Sequence, residues 1–371
     1  MRTAQFPSRY VQGPGALGRF GREVERLGER AMVLADRNLP ASVLDGLNAE
    51  EVSTETHSVE PKCTLDAIAR TGQQAHDLGV DMIAGLGGGK VIDLGRAVAD
   101  ELRLPFISVP TVAASDAPCS ALAVVYDDSG KVLFDRFVRK NPDLVLVDST
   151  VIAAAPARYF SAGIGDALAT YFEADACVRS GADNVCGGKA TRLAHTVARL
   201  CLDTIVEKGG SAVAACERGV PDADFEDVLE ATILLSGIGF ESGGVAAAHA
   251  FHHGIAELSE SHGALHGEKV AFGVLAELVL NGEGEDRITE IARFNLSVNL
   301  PTCLADLGIA DADAAIPVIA ARAAREGEII HNEPMTVDAE IAANALRQAD
   351  RLGRSMRGAG QSCRNHQKVV D

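Results

Sequence analysis

From the N-terminus to about Val147, short apolar runs alternate with longer stretches of helical period: AMVLAD, then TLDAIARTGQQAHDLG, then VDMIAGLG, then KVIDLGRAVADEL, then PFISVPT. Such alternation predicts a parallel sheet with helices packed on it, and ligands bound at the carboxyl ends of the strands. After Asp148 the strand pattern stops and long helix-like segments run to about Met356. The final stretch, RGAGQSCRNHQKVVD, has no hydrophobic period. The expected fold is therefore α/β: a parallel-sheet, Rossmann-like domain over 1–157, an all-helical domain over 158–355 and a loose tail over 356–371. The cleft between the two domains is the expected site.

Within the helical part, the segment Gly243 to Gly273 holds five of the chain's 10 histidines. His249 and His252 lie three apart in an Ala-rich helical run, so both rings project from one face. Gly254 and the polar SESHG segment are expected to break that helix, so that His266 returns through a turn ahead of a second helix at EKVAFGVLAELVL. Taken singly, each histidine reads as a polar helix residue. Taken together they read as metal ligands, because neutral imidazole is the commonest ligand near neutral pH. His253 points off the shared face, and it is set aside with His262.

Three glycine-rich stretches compete for a phosphate-binding role. Gly13-Pro14-Gly15-Ala16-Leu17-Gly18 matches GxGxxG, but a proline sits in its turn and no ribose-binding acid follows at the usual spacing. Gly85-Leu86-Gly87-Gly88-Gly89-Lys90 instead joins an apolar strand to a helix, which lets backbone N–H groups approach a pyrophosphate at a helix N-terminus. The third, from Gly353 onward, is assigned to the tail. Asp36 ends the strand AMVLAD, where a carboxylate can accept from ribose hydroxyls and repel a 2′-phosphate; this favours NAD over NADP, although Arg37 next door weakens the discrimination. Residues 110–130, PTVAASDAPCSALAVVYDDSG, read as a loop of small and hydroxylated residues leading into a strand, a loop of the kind that lines ligand sites. Asp166 falls in a helix beginning SAGIGDALATYFEADAC, expected in an early turn.

Charge narrows the partners. With 34 Lys and Arg against 52 Asp and Glu, the net charge of -18 argues against nucleic acid and anionic membrane surfaces. No apolar run approaches a membrane span and no signal-peptide core opens the chain, so a cytoplasmic location is expected. The 8 cysteines form no CxxC pair and read as buried small hydrophobes.

Taken together, GDALATYFEA, AAAHAFHHG, HGEKVAFG, GLGGGK and TVAASDAPCSALAVVY, with QGPGAL, LPTCLADLGI and IIHNEP, closely resemble the glycerol dehydrogenase branch of the iron-containing, group III alcohol dehydrogenase family. The resemblance covers nearly the whole chain except the last residues. It implies the two-part architecture shared with dehydroquinate synthases, and metal ligation by Asp166, His249 and His266. Many members of the wider family carry a fourth, histidine ligand where this chain has Thr170. Three protein ligands with an open position suit a catalytic Zn2+, with iron and manganese as alternatives. The resemblance further implies an NAD site at Asp36, Gly88, Gly89, Lys90, Thr111, Ser115, Ser120, Leu122 and Tyr126, and it places Asp116 beside the substrate hydroxyls.

The implied reaction is oxidation of glycerol or a similar vicinal diol with hydride transfer to NAD, by a homo-oligomer that is often an octamer. His252 is assigned either a proton relay or a supporting role behind the ligands. The competing expectations are a sugar-phosphate cyclase of the dehydroquinate synthase type and a glycerol-1-phosphate dehydrogenase. Both call for a basic phosphate-binding cluster, and none stands beside the histidines.

Overall fold

The computed structural model describes residues 1–358; of the expected tail over 356–371, residues 356–358 continue the last helix and the rest lies outside the described residues. Six strands form one parallel sheet: β1 (Tyr10–Gly13), β2 (Arg30–Asp36), β3 (Ser53–Val59), β4 (Met82–Gly87), β5 (Phe106–Pro110) and β8 (Leu144–Asp148), in the order β1-β8-β5-β4-β2-β3. A separate hairpin pairs β6 (Leu122–Tyr126) with β7 (Val132–Phe137) antiparallel. The central strand β4 is buried throughout, as a parallel strand covered on both faces must be. Edge strand β3 is polar up to Val59 and has no fully buried residue, and so carries too weak an apolar signal to be read in advance.

Chain order reverses beside β2, whose neighbours are β3 on one side and β4 on the other. That reversal opens a crevice at the carboxyl ends of β2 and β4, the general ligand position of open α/β sheets. Asp36 and Gly87 flank it: a Cβ added at Gly87 would lie 3.1 Å from the Asp36 Cβ. The first glycine motif has another use. Gly15 N and Leu17 N donate to the two carboxylate oxygens of Asp148 at 3.2 and 3.0 Å, so this turn is tied to the end of β8.

Beyond β8 the described chain is all helical. The core of this part spans the helices Ala157–Ser180, Arg192–Glu217, Ala247–Ala256, His266–Leu280, Ala312–Ala323 and Ala339–Gly358. Three expectations need correction. Gly254 does not break its helix, which runs to Ala256; it is the contact point at which this helix meets the Ile319 backbone. Asp166 is not in an early turn but is the tenth residue of Ala157–Ser180, buried at mid-helix and away from the helix-end dipole. Gly353 belongs to the last helix, where its missing side chain leaves room for the Thr302 carbonyl.

No single described helix is long and apolar enough to cross a membrane. The pair Ala223–Gly243 and Ala247–Ala256 has the composition but bends by 101°, and its large apolar residues, such as Phe225 and Phe251, are wholly buried. Cys63, Cys119, Cys177, Cys201 and Cys216 are buried thiols, as expected of small hydrophobes.

Candidate metal and nucleotide site

Glycines next to the site decide where its side chains meet. Gly165 precedes Asp166 and Gly267 follows His266. A Cβ on Gly165 would stand 2.4 Å from the Gly267 carbonyl, and one on Gly267 would stand 1.7 Å from the Ala162 carbonyl. Only two bare backbones can cross at that separation, and the crossing puts Asp166 against His266. A third contact of the same kind, Gly273 against the Ala248 carbonyl, brings in His249.

The result is a compact donor set. Asp166 Oδ1 lies 2.9 Å from His266 Nε2 and 3.4 Å from His249 Nε2. One ligand atom from each of the three residues lies within 4.8 Å of the others. Asp166 is buried, His249 half-buried and His266 exposed, so the cluster opens on one side. Glu173 accepts from His249 Nδ1 at 2.6 Å and from its backbone N at 2.9 Å, leaving Nε2 turned toward Asp166. A carboxylate behind a histidine in this way fixes the tautomer that a metal needs. The set of two imidazoles and one carboxylate fits a divalent transition metal.

Electrostatics at the cluster are strong. Burial works to raise the Asp166 pKa, but the His266 and His249 rings hold it well below the usual carboxylate range. Burial alone would lower His249; the Glu173 charge overrides it and raises the imidazole well above its ordinary value. His252 is pushed the other way, first by burial and then by the neighbouring rings. Its Nε2 lies 3.1 Å from His266 Nδ1, and its buried Nδ1 has no hydrogen-bond partner among the described residues. His253 turns away, to Glu328 at 3.0 Å.

Asp116 reaches the cluster from the loop after β5. Its backbone N donates to Asp166 Oδ2 at 3.2 Å, and its carboxyl is pushed up to about 8 by burial and then by the Asp166 charge. Ser236 donates to Asp116 Oδ2 at 2.8 Å and also lies 2.9 Å from Thr170 Oγ1. Ser236 follows a π-helical turn, Ala231–Leu235, a wide turn of a kind frequent at functional sites. Thr170 is thus a hydrogen-bonding partner one turn beyond Asp166 rather than a ligand.

The nucleotide candidates gather at the neighbouring strand ends. Asp36 ends β2, Thr111 follows β5 and donates its N–H to the Gly87 carbonyl at 3.1 Å, and Gly88 caps the helix Gly89–Leu102 without any side-chain cap. A Cβ on Gly89 would meet nothing within 4 Å, so the helix start faces open space. Lys90 Nζ sits 5.1 Å from the centroid of the Tyr126 ring. Ser115, Ser120 and Leu122 lie along the intervening loop and the start of β6.

That loop is braced from both sides by residues the sequence did not single out. Arg96, buried and paired with Asp93 at 2.8 Å, donates to the carbonyls of Ala117 and Leu122, while Asp93 accepts from Val124 N at 3.2 Å. From the helical part, buried Glu241 accepts from Ala121 N at 2.7 Å and from Asn141. Glu173 left the clearest trace in the sequence: it lies seven residues after Asp166, two turns along the same helix face.

A glycine turn at the end of the sheet and a candidate metal site of one carboxylate and two histidines on the helices mark the class as an oxidoreductase. The chain belongs to the iron-containing alcohol dehydrogenase family: residues 7–149 match the family described as "Iron-containing alcohol dehydrogenase", and full-length relatives extend the match. It is 43% identical to a glycerol dehydrogenase of Thermotoga maritima over 95% of this chain and 98% of that one. It is 41% identical to a glycolaldehyde reductase of Halobacterium salinarum over the same shares. The crystal structure of glycerol dehydrogenase from Schizosaccharomyces pombe superposes with a TM-score of 0.92 at 34% identity, covering 97% of this chain and 93% of that one.

Proposed function

We propose that this chain is an NAD-dependent glycerol dehydrogenase, oxidising glycerol or a similar vicinal diol to the ketone at a zinc ion held by Asp166, His249 and His266. The observation that carries this reading is the three-residue cluster, open on one side and bordered by Asp116. A bound metal would supply the charge that lowers the pKa of a substrate hydroxyl and polarises the product carbonyl, and bound NAD would supply the hydride acceptor. By accepting from His249 Nδ1, Glu173 fixes the ring so that Nε2 is the nitrogen left for a metal once its proton is displaced. His252, whose pKa burial holds down, lies 3.1 Å from His266 Nδ1 and supports that ring; this role agrees better with its contacts than a relay through an Nδ1 that has no partner among the described residues. Asp116, anchored by Ser236, offers its remaining oxygen to a hydroxyl that is not oxidised.

On the sheet side, the first turn of Gly89–Leu102 receives the pyrophosphate, Asp36 the adenosine ribose, and Lys90, Thr111, Ser115, Ser120, Leu122 and Tyr126 line the remainder. This reading divides the chain at residue 157 and places the enzyme in the cytoplasm as a homo-oligomer. Identity to a glycolaldehyde reductase favours a second use of the same site, reduction of a short hydroxyaldehyde by NADH.

The test is NADH absorbance on mixing metal-replete protein with NAD and glycerol at mildly alkaline pH. We expect NADH formation that a chelator abolishes and zinc restores. Absence of NADH with every small diol, from protein with bound NAD and metal, overturns the reading.

A further inference from the structure

The adenosine end of the proposed cofactor site carries two cations in a place where NAD needs none. In the β2–β3 pairing Asp36 lies opposite Val59, and Arg37 N donates to the Val59 carbonyl at 2.9 Å, so the chain leaves both strands side by side. One residue further on, Glu60 closes on both cations: Oε1 accepts from Arg37 Nη1 at 2.6 Å and Oε2 from Lys62 Nζ at 3.0 Å. All three side chains are about half exposed, and exposed pairs of this kind contribute little to folding. A positive residue beside the ribose carboxylate position is what accommodates a 2′-phosphate in sites that use NADP. This chain has two such residues and a carboxylate that engages both.

We propose that Glu60 is a cofactor-specificity residue: by holding Arg37 and Lys62 it withholds them from a 2′-phosphate, and it reinforces the repulsion exerted by Asp36. The inference rests on the NAD-site reading above. Formal charge over Asp36, Arg37, Glu60 and Lys62 sums to zero; neutralising Glu60 makes the group +1, and neutralising Asp36 as well makes it +2. The two acids therefore act together, one by direct repulsion and the other by occupying the cations.

The experiment is fluorescence titration of full-length protein with NADH and, separately, NADPH, for the wild type, E60Q, D36N and D36N/E60Q. E60Q is expected to tighten NADPH binding about three- to tenfold, more in the D36N background than alone, with NADH affinity within about twofold. Added salt should erode the gain, because exposed charges carry it. R37Q/K62Q in the doubly neutralised background should remove it. An NADPH-to-NADH affinity ratio unmoved by E60Q in both backgrounds overturns the proposal while leaving the NAD reading intact. Wild type that binds neither dinucleotide overturns that reading, and this one with it.

Discussion

The two halves of the candidate site are built on opposite principles. On the sheet side the ligand-facing groups are backbone N–H groups and side chains at the ends of β2, β4, β5 and β6, where the chain turns and space is open. On the helical side they are side chains of helices that range from buried Asp166 to exposed His266, brought together where two backbones touch at glycine. Glycine serves both halves differently: at Gly89 it borders open space at a helix start, and at Gly267 it leaves room for another helix. A half built on open turns should tolerate small additions structurally and lose only affinity. One built on close crossings should lose fold and metal together.

The widest separation between the halves should come from His266→Ala. Loss of the metal removes several kcal/mol of transition-state stabilisation, about a thousandfold in turnover, while NADH fluorescence titration should show binding within a few-fold of wild type. Full activity and metal content in this variant would remove His266 from the site.

Gly267→Ala tests the crossing. Its Cβ has no room beside the Ala162 carbonyl, so the helices must part; we expect destabilisation of about 1–3 kcal/mol by denaturant unfolding, with bound metal lost in elemental analysis. Unchanged stability would show that the crossing can relax. Glu173→Gln probes the support behind His249, and competition with a chromogenic chelator should report metal affinity about 10- to 100-fold weaker.

The raised His249 pKa gives a pH prediction. In metal-free protein this imidazole is protonated at neutral pH, so the metal must displace a proton, and affinity should fall as pH drops. The sign follows from the group: raising pH toward the folded pKa frees the ligand. Calorimetry in buffers of different ionisation enthalpy should detect about one proton released per metal bound near pH 7.

The smallest effect belongs to the open turn. Gly89→Ala places a methyl where nothing lies within 4 Å, so stability should stay level or rise by about 0.5–1 kcal/mol, with NADH bound several-fold more weakly. A fall in stability there would break the contrast between the two halves.

Much of this was legible along the chain. The alternation up to Val147 and the long helical segments after it described the fold, because buried parallel strands and helices have different periods. GLGGGK reads as a phosphate cradle by its context, and the strand before it and the helix after it are where that reading puts them. Asp36 and the His249–His266 segment stood out by residue type and position. Two of the errors share one cause. Gly254 and Gly353 were read as punctuation because local propensity treats glycine as a breaker, whereas both are in helices at contact points with distant backbone.

Elements, their order and the residue types able to bind a metal or a dinucleotide are local properties, written in periodicity and side-chain chemistry, and the sequence by itself determined them. Which serine anchors Asp116, and that Arg96 and Glu241 brace one loop from opposite sides, depend on contacts between residues up to 120 positions apart in the sequence, as the Asp116–Ser236 bond illustrates. Such contacts leave no periodic trace, because pairing across space is set by how close two backbones can come. Only the tertiary structure decided them.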